Sequence, residues 1–318
     1  MASAPAAVWS AQFTDACDTA AALRDARIEY LSLSPAPYDA RLTVVDLGML
    51  RLQTAIDHAH IARGVVDSGG FMILFGLGGI VPGVRVNGGG MMGSDAVVLA
   101  PGAEIHAVTT GRQDWATVFL NAAAFADLID SEAWPPERGF MVRQGLIAHS
   151  AGLRDLSANL AHIACRKPDR LALGSVPQSV IETMGTALQR GLGNGSDAQG
   201  QGRALHRRVR LVAAAEELMD VAIGRPVYIQ DLCAALGVAP RTLHSAFTAV
   251  YGMGVHRYLR VRRLNLVRCA LRAGGGDAGL VKSIALDFGF WHLGRFAHHY
   301  RALFGERPCE TLSASHRA

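Results

Sequence analysis

Seven side chains recur at spacings that would present hydrogen-bond donors from one face of a helix. Arg241, His244, Ser245 and Thr248 stand three, one and three residues apart, and Arg295, His298 and Arg301 stand three apart. At 3.6 residues per turn each set lies opposite an apolar set, Leu243 and Phe247 in the first and Phe296, Tyr300 and Leu303 in the second. Guanidinium, imidazole and hydroxyl groups reach base edges and phosphates, and an arginine can bond a guanine through two parallel contacts. The chemistry on offer is recognition of a nucleic acid.

Such faces need helices docked by their N-terminal halves, and the surrounding sequence supplies them twice. Measured from Gly237, apolar residues stand at minus eight (Ile229), minus five (Leu232) and minus one (Leu236). From Gly289 the matching residues are Val281, Ile284 and Phe288. Downstream, Val238, Leu243 and Phe247 are answered by Phe290, Phe296 and Tyr300, with one residue inserted, and both units reach a further glycine, Gly252 and Gly305. A short helix, a glycine turn and a second helix repeated 52 residues apart predict two helix-turn-helix units, Tyr228 to Val250 and about Val281 to Leu303. A long helix from about Val255 to Arg272, carrying Arg257, Arg260, Arg262, Arg263 and Arg268, joins them.

The last hundred or so residues resemble the paired helix-turn-helix domain of the AraC/XylS family of bacterial transcription regulators. The stretch IALDFGF…F…Y…FGERP, ending at Phe304, Gly305 and Pro308, carries the resemblance. The wording FGFWHLGRF and the ending ERPCETL are similar to the subgroup containing ethanolamine-utilisation regulators. The resemblance implies an α+β chain. Residues 1–130 would form a β-rich, cupin-like sensing domain, and 131–190 connecting helices that pair protomers in a homodimer. Residues 203–318 would form the DNA-binding domain. It places Arg241, His244 and Ser245 at base-reading positions, and Gly294 where a reading side chain is expected, which leaves Arg295 or His298 to read. It also implies double-stranded DNA as partner, a small-molecule effector, and RNA polymerase if the outcome is activation, the commoner one in the family.

Charge agrees with this division. Residues 1–200 hold 14 Lys and Arg against 19 Asp and Glu, whereas residues 201–318 hold 17 against 8. A basic module on an acidic remainder is the electrostatic footprint of a nucleic-acid binder. Half the residues are hydrophobic and 18% are charged, as in a globular chain of about two domains. Five scattered cysteines, none in a metal-binding spacing, imply a reducing, cytoplasmic setting. The N-terminus lacks a signal-peptide pattern, and the apolar stretch Phe71 to Val84 is too short and too glycine-broken to span a bilayer.

Along the chain, residues 1 to about 12 read as a loose tail and Thr14 to Leu23 as a short helix capped by Thr14 or Asp15. From Ile28 to about Leu120, short β-branched runs predict an all-β sandwich or barrel. Helices are expected from Phe119 to Asp130, Gly145 to Cys165, Pro177 to Arg190 and Arg203 to Ala222. The glycine-rich stretch 191–202 reads as a flexible linker with a reach on the order of 20 Å.

Other chemistries fit less well. His106 follows a Pro-Gly turn as a metal ligand does in metal-binding cupins, and His58 and His60 would be further ligands, but the acidic ligand expected after them is missing. The competing reading is thus a cupin-type metal-binding enzyme domain fused to a DNA-binding module; the favoured one assigns no metal, no cofactor and no catalytic residue. The glycines from Gly69 to Gly93 contain no phosphate-binding motif, and Gly88–Gly90 reads as a hairpin turn. No G-x-S-x-G, H-E-x-x-H or kinase motif is present.

Overall fold

Side chains alternating at a period of two build two facing antiparallel sheets in the N-terminal half. In the computed structural model, which describes residues 7–35, 38–78, 82–128, 139–194, 196–197, 202–222, 227–273 and 278–314, the larger sheet has eight strands. In spatial order they are β1 (Ala7–Phe13), β3 (Ala40–Asp46), β4 (Leu50–Asp57), β11 (Gln113–Asn121), β6 (Gly70–Gly76), β9 (Ala96–Leu99), β12 (Phe140–Gln144) and β13 (Ser196–Asp197). The smaller sheet runs β2 (Ala26–Ser32), β5 (His60–Val66), β10 (Glu104–Thr109), β7 (Arg85–Val86) and β8 (Gly89–Gly90).

Helices cover both outer faces. After α1 (Ala16–Ala22) and α2 (Ala122–Leu128) come α3 (Leu146–His149), α4 (Leu153–Arg166) and α5 (Val176–Asn194). Leu153, Leu160, Met184 and Leu188 of α4 and α5 share one core with Leu52, Ile73, Val98 and Val118 of the larger sheet. The C-terminal half is helical: α6 (Gly202–Val221), α7 (Ile229–Leu236), α8 (Pro240–Tyr251), α9 (Val255–Ala273), α10 (Ala278–Asp287), α11 (Leu293–Phe304) and α12 (Pro308–Ala314). Its α6, α8 and the first half of α9 join a single core with residues of the smaller sheet. The layers are therefore helices, sheet, sheet and the helical C-terminal half.

The α+β class and the two helix-turn-helix units stand as expected. Four local expectations are corrected. The expected loose tail pairs from Ala7 onward with β3, Trp9 opposite Val44, so β1 is an edge strand. The connecting region begins with a strand, because Phe140 and Met141 of β12 are buried beside β9. Residues 191–194 of the expected linker complete α5, and there Gly191 serves close packing. A Cβ on it would collide with the Ser150 hydroxyl of the segment after α3. Residues 195 and 198–201 lie outside the described residues. The hairpin turn is Asn87-Gly88, both at positive φ (49° and 75°), and Gly89-Gly90 is already the returning strand.

Candidate nucleic-acid interface

The two units close on the same backbone device. Gly237 after α7 and Gly289 after α10 are left-handed (φ 63° and 79°). The next N–H in each reaches back five residues, Val238 to the Cys233 carbonyl at 3.1 Å and Phe290 to the Ala285 carbonyl at 2.9 Å. A side chain in that conformation costs about 1–2 kcal/mol, which is why both positions are glycine. α8 and α11 end on a second left-handed pair, Gly252 and Gly305 (φ 70° and 74°). Pro240 opens α8, where the missing N–H is no loss.

The shared helix α9 is the floor of both units. Tyr258 and Leu259 pack into the core that holds Leu243 and Phe247, whereas Leu264, Val267 and Leu271 pack with Phe296, Tyr300 and Phe304. With Leu243, Phe247, Phe296 and Tyr300 buried, Arg241, His244, Ser245 and Thr248 of α8 and Arg295, His298 and Arg301 of α11 are left exposed. The seven expected residues therefore form two outward faces, one on α8 and one on α11, both packed on the shared helix α9.

Their freedom differs. Among the described residues, Arg241, Ser245, Arg295 and Arg301 have no hydrogen-bond or ion-pair partner, so their donors are open to a ligand. Thr248 donates its hydroxyl proton to the His244 carbonyl (2.9 Å), keeping only acceptor capacity for outside groups. His244 lays its ring against Gly254, where any Cβ would collide with it. Gly294 stands exposed, and a Cβ there would meet no atom within 4 Å.

The arginines of α9, alike in sequence, divide sharply. Arg262 is 4% exposed, bonds the Met219 carbonyl at 3.2 Å and pairs with Asp220. Arg268 pairs with Glu306 at 3.3 Å and lies 4.8 Å over the Phe304 ring. Arg263 bonds the Val227 carbonyl. These three are struts within the fold, whereas Arg257 and Arg260 remain exposed.

A groove between the two units adds residues that spacing did not single out. Tyr228 and Trp291 stand 56% and 64% exposed at its edges, with His256, Arg260, Arg295 and His299 along it. Exposed aromatics in a basic groove are costly for a monomer and suit a ligand. Partial burial, then the charges of Arg260, His298 and Arg295, push the His299 imidazole below its usual range. The cations gathered there give the groove a positive field. Only the unusual exposure reveals Trp291; in sequence it reads as one more apolar residue.

The inner side of the interface meets the N-terminal half. In β10, Ile105, Ala107 and Thr109 face a cavity between the sheets, and His106 faces the other way into α6 and α8. The space free of protein atoms at this cavity, open solvent at its mouth included, is about 740 Å³. Tyr30, Met72, Leu74, Phe75 and Trp115 are among its walls, and two of its polar members are internally bonded, Gln53 to the Arg24 backbone and the Trp115 indole to Asp57 at 3.0 Å, while Arg24 itself also lines it. His106 Nδ1 lies 2.7 Å from the Tyr251 hydroxyl at the end of α8 and 3.2 Å from Glu216 of α6. The Tyr251 and Tyr258 hydroxyls both donate to Glu216. Burial works against the His106 cation, but the nearby Glu104 and Glu216 carboxylates outweigh it and lift its pKa from 6.5 to about 9. At 3.8 Å Glu104 acts as a charge rather than a hydrogen-bond acceptor, so we give Glu216 the larger share. Burial disfavours the Glu216 anion, yet the bond and charge of His106, with Arg63 and Tyr258, hold it below the usual carboxylate range.

The three histidines considered as metal ligands do not converge. His58 Nε2 pairs with Asp39 at 2.5 Å, and His60 Nδ1 bonds the His58 carbonyl at 2.7 Å with its ring stacked on Tyr30. His106 belongs to the charge cluster on the other face of the sheet. Among the described residues no three His, Cys, Asp or Glu side chains gather as a metal site, and no helix is long and apolar enough to cross a membrane.

A family profile described as a helix-turn-helix domain matches residues 232–314, from α7 into α12. The XylDLEGF operon transcriptional activator 2 of Pseudomonas putida is 35% identical over 97 residues, which are 30% of this chain and 62% of that protein. Another XylDLEGF operon transcriptional activator of the same organism is 34% identical over 96 residues, 30% of each chain. The chain thus spans less than two thirds of the length of these curated relatives. A solved structure of a probable AraC family transcriptional regulator from Rhodopseudomonas palustris is 32% identical, with 33% of this chain and 97% of that one covered and a TM-score of 0.30.

Proposed function

We propose that this chain, whose C-terminal domain matches a helix-turn-helix profile and is similar to XylDLEGF operon transcriptional activators, is a sequence-specific DNA-binding transcription regulator of the AraC/XylS family, governed by a small molecule bound in its β-rich, cupin-like half. The observation that carries this reading is the pair of outward faces, on α8 and α11, whose arginines have no partner among the described residues. α8 reads bases through Arg241 and Ser245, with His244 and Thr248 flanking. α11 works through Arg295, His298 and Arg301 in a neighbouring stretch of major groove. Arg257, Arg260 and the α6 arginines Arg207, Arg208 and Arg210 hold phosphates and set the salt dependence.

The effector enters the cavity between the sheets. Its walls are mostly apolar, with Arg24 among the lining residues, so the favoured occupant is a largely apolar small molecule. The signal crosses one strand, because β10 touches the cavity on one face and the recognition helix α8 through His106 on the other. The chain acts as a homodimer paired through the outer sides of α4 and α5, near the exposed Leu173, and as an activator contacts RNA polymerase. It works in the cytoplasm and performs no catalytic step.

The test is footprinting of the DNA upstream of the chain's own and neighbouring genes across a salt series. Arg241→Ala should relax the preference at one or two base pairs, reducing discrimination by about 1–3 kcal/mol, or roughly 5- to 150-fold. A wild type without sequence preference, or a variant altering only the salt slope, would make these helices phosphate holders. The effector reading has its own check. Ala107→Phe, which fills the cavity from β10, should abolish any rise in melting temperature caused by apolar compounds, whereas Arg241→Ala should preserve it. An undiminished rise in the Ala107→Phe protein would move the ligand elsewhere.

A further inference from the structure

We propose that Cys17 and Cys269 form a reversible disulfide that clamps the β-rich domain onto the DNA-binding domain under peroxide. The two sulfurs lie 3.0 Å apart, although 252 residues separate them in the chain. Cys17 is in the first turn of α1, Cys269 is on α9, and both are exposed, so an oxidant reaches them without unfolding. At van der Waals distance two sulfurs stand farther apart than this; the pair is already close to bonding range.

The surroundings hold this approach in place. Asn265, Cys269 and Arg272 stand at spacings of four and three, one stripe of α9 facing the N-terminal half. Asn265 accepts the Ser32 N–H at 2.9 Å, and Arg272 pairs with Asp15 and, at 3.6 Å, with Asp18. Asp15 also caps α1 by accepting the Cys17 N–H at 2.8 Å. The cysteine pair therefore sits between two fixed points of the seam.

The chemistry has a defined direction. Either thiol can donate to the other; with Cys17 as donor the bond favours the Cys269 thiolate, burial opposes this, and the Arg268 charge supports it. Cys17 is correspondingly held as the thiol. The Cys269 thiolate attacks the O–O bond of a hydroperoxide, forming a sulfenic acid and releasing an alkoxide or hydroxide that takes up a proton. Cys17, losing its proton, then attacks the sulfenic sulfur; the S–S bond forms and water departs. Two thiols are oxidised by two electrons, and one peroxide is reduced. In a reducing compartment the bond is transient, as sensor disulfides are, and thiol exchange reopens it.

The clamp does not depend on the regulatory reading, and its test needs no DNA. Full-length protein treated with hydrogen peroxide should fall from five titratable thiols to three. It should yield one linked peptide pair containing Cys17 and Cys269, run faster on a non-reducing gel, and return to the original state with dithiothreitol. Its melting temperature should rise on oxidation, and neither Cys17→Ser nor Cys269→Ser should show the rise or the faster band. A thiol count still at five, linked peptides through Cys165, Cys233 or Cys309, a bond between chains, or Cys269 oxidised to sulfinic acid with Cys17 free would each overturn the site. A Cys17–Cys269 bond without a rise in melting temperature would overturn the clamp.

Discussion

Glu216→Ala should lower the unfolding free energy by about 3–5 kcal/mol, the cost of leaving a buried charge cluster without its anion. Glu216 is 4% exposed, and its carboxylate takes the hydroxyls of Tyr251 and Tyr258 and faces His106. Alanine removes the acceptor for both phenols and the counter-charge of the imidazolium, while water has no ready path to replace them. Glu216→Gln keeps the volume and one acceptor oxygen but not the charge, so it should fall between alanine and wild type. Urea unfolding of the three proteins decides it. An alanine variant within about 1 kcal/mol of wild type, well under the range for breaking a buried pair, would mean that the cluster is solvated or rearranges freely.

Stability should also fall as pH rises from neutrality toward about 9, by as much as about 3 kcal/mol from His106 alone. The sign follows from the direction of the shift. A histidine whose folded pKa is raised binds its proton more tightly in the native state. The stabilisation is complete below the unfolded value of 6.5 and is lost as pH climbs through the folded value of about 9. Groups around the imidazole are Glu104 on its own strand, Arg63 on β5, Glu216 on α6, Tyr251 on α8 and Tyr258 on α9. The tyrosines are buried and their pKa values are raised well above 10, and Glu216 is held below the usual carboxylate range, so His106 is the member that titrates in this window. Subtracting the urea midpoints of His106→Asn from those of wild type across pH 6 to 10 isolates it. A difference that stays flat would show that His106 is neutral in the fold.

What the sequence disclosed followed from local rules. The two helix-turn-helix units were legible because glycines that must be left-handed, with apolar residues at helical spacing, occur twice in register. The outward residues followed by subtraction once Leu243, Phe247, Phe296 and Tyr300 were assigned inward. Their role in reading bases rests on the proposal, since exposure alone does not distinguish a base contact from a phosphate contact. What stayed hidden depended on partners far along the chain. Arg262 looks like Arg260 until Asp220 is placed beside it, and His106 looks like a metal ligand until Glu216 and Tyr251 arrive from more than a hundred residues away. β1 was missed because its alternation is short and its pairing partner, β3, lies across a helix and a strand. Gly191 read as slack because composition cannot separate a glycine that bends from one that lets two helices touch.

The bare surface at Gly294 bears on how such a protein diversifies. A side chain added there would meet nothing of the chain itself, and replacing a helical glycine gains about 0.5–1 kcal/mol of helix stability. Most new binding preferences have to be reached through variants that fold less well. If α11 reads bases as proposed, it holds one blank letter, and filling it would change the address the protein reads while strengthening the helix that reads it.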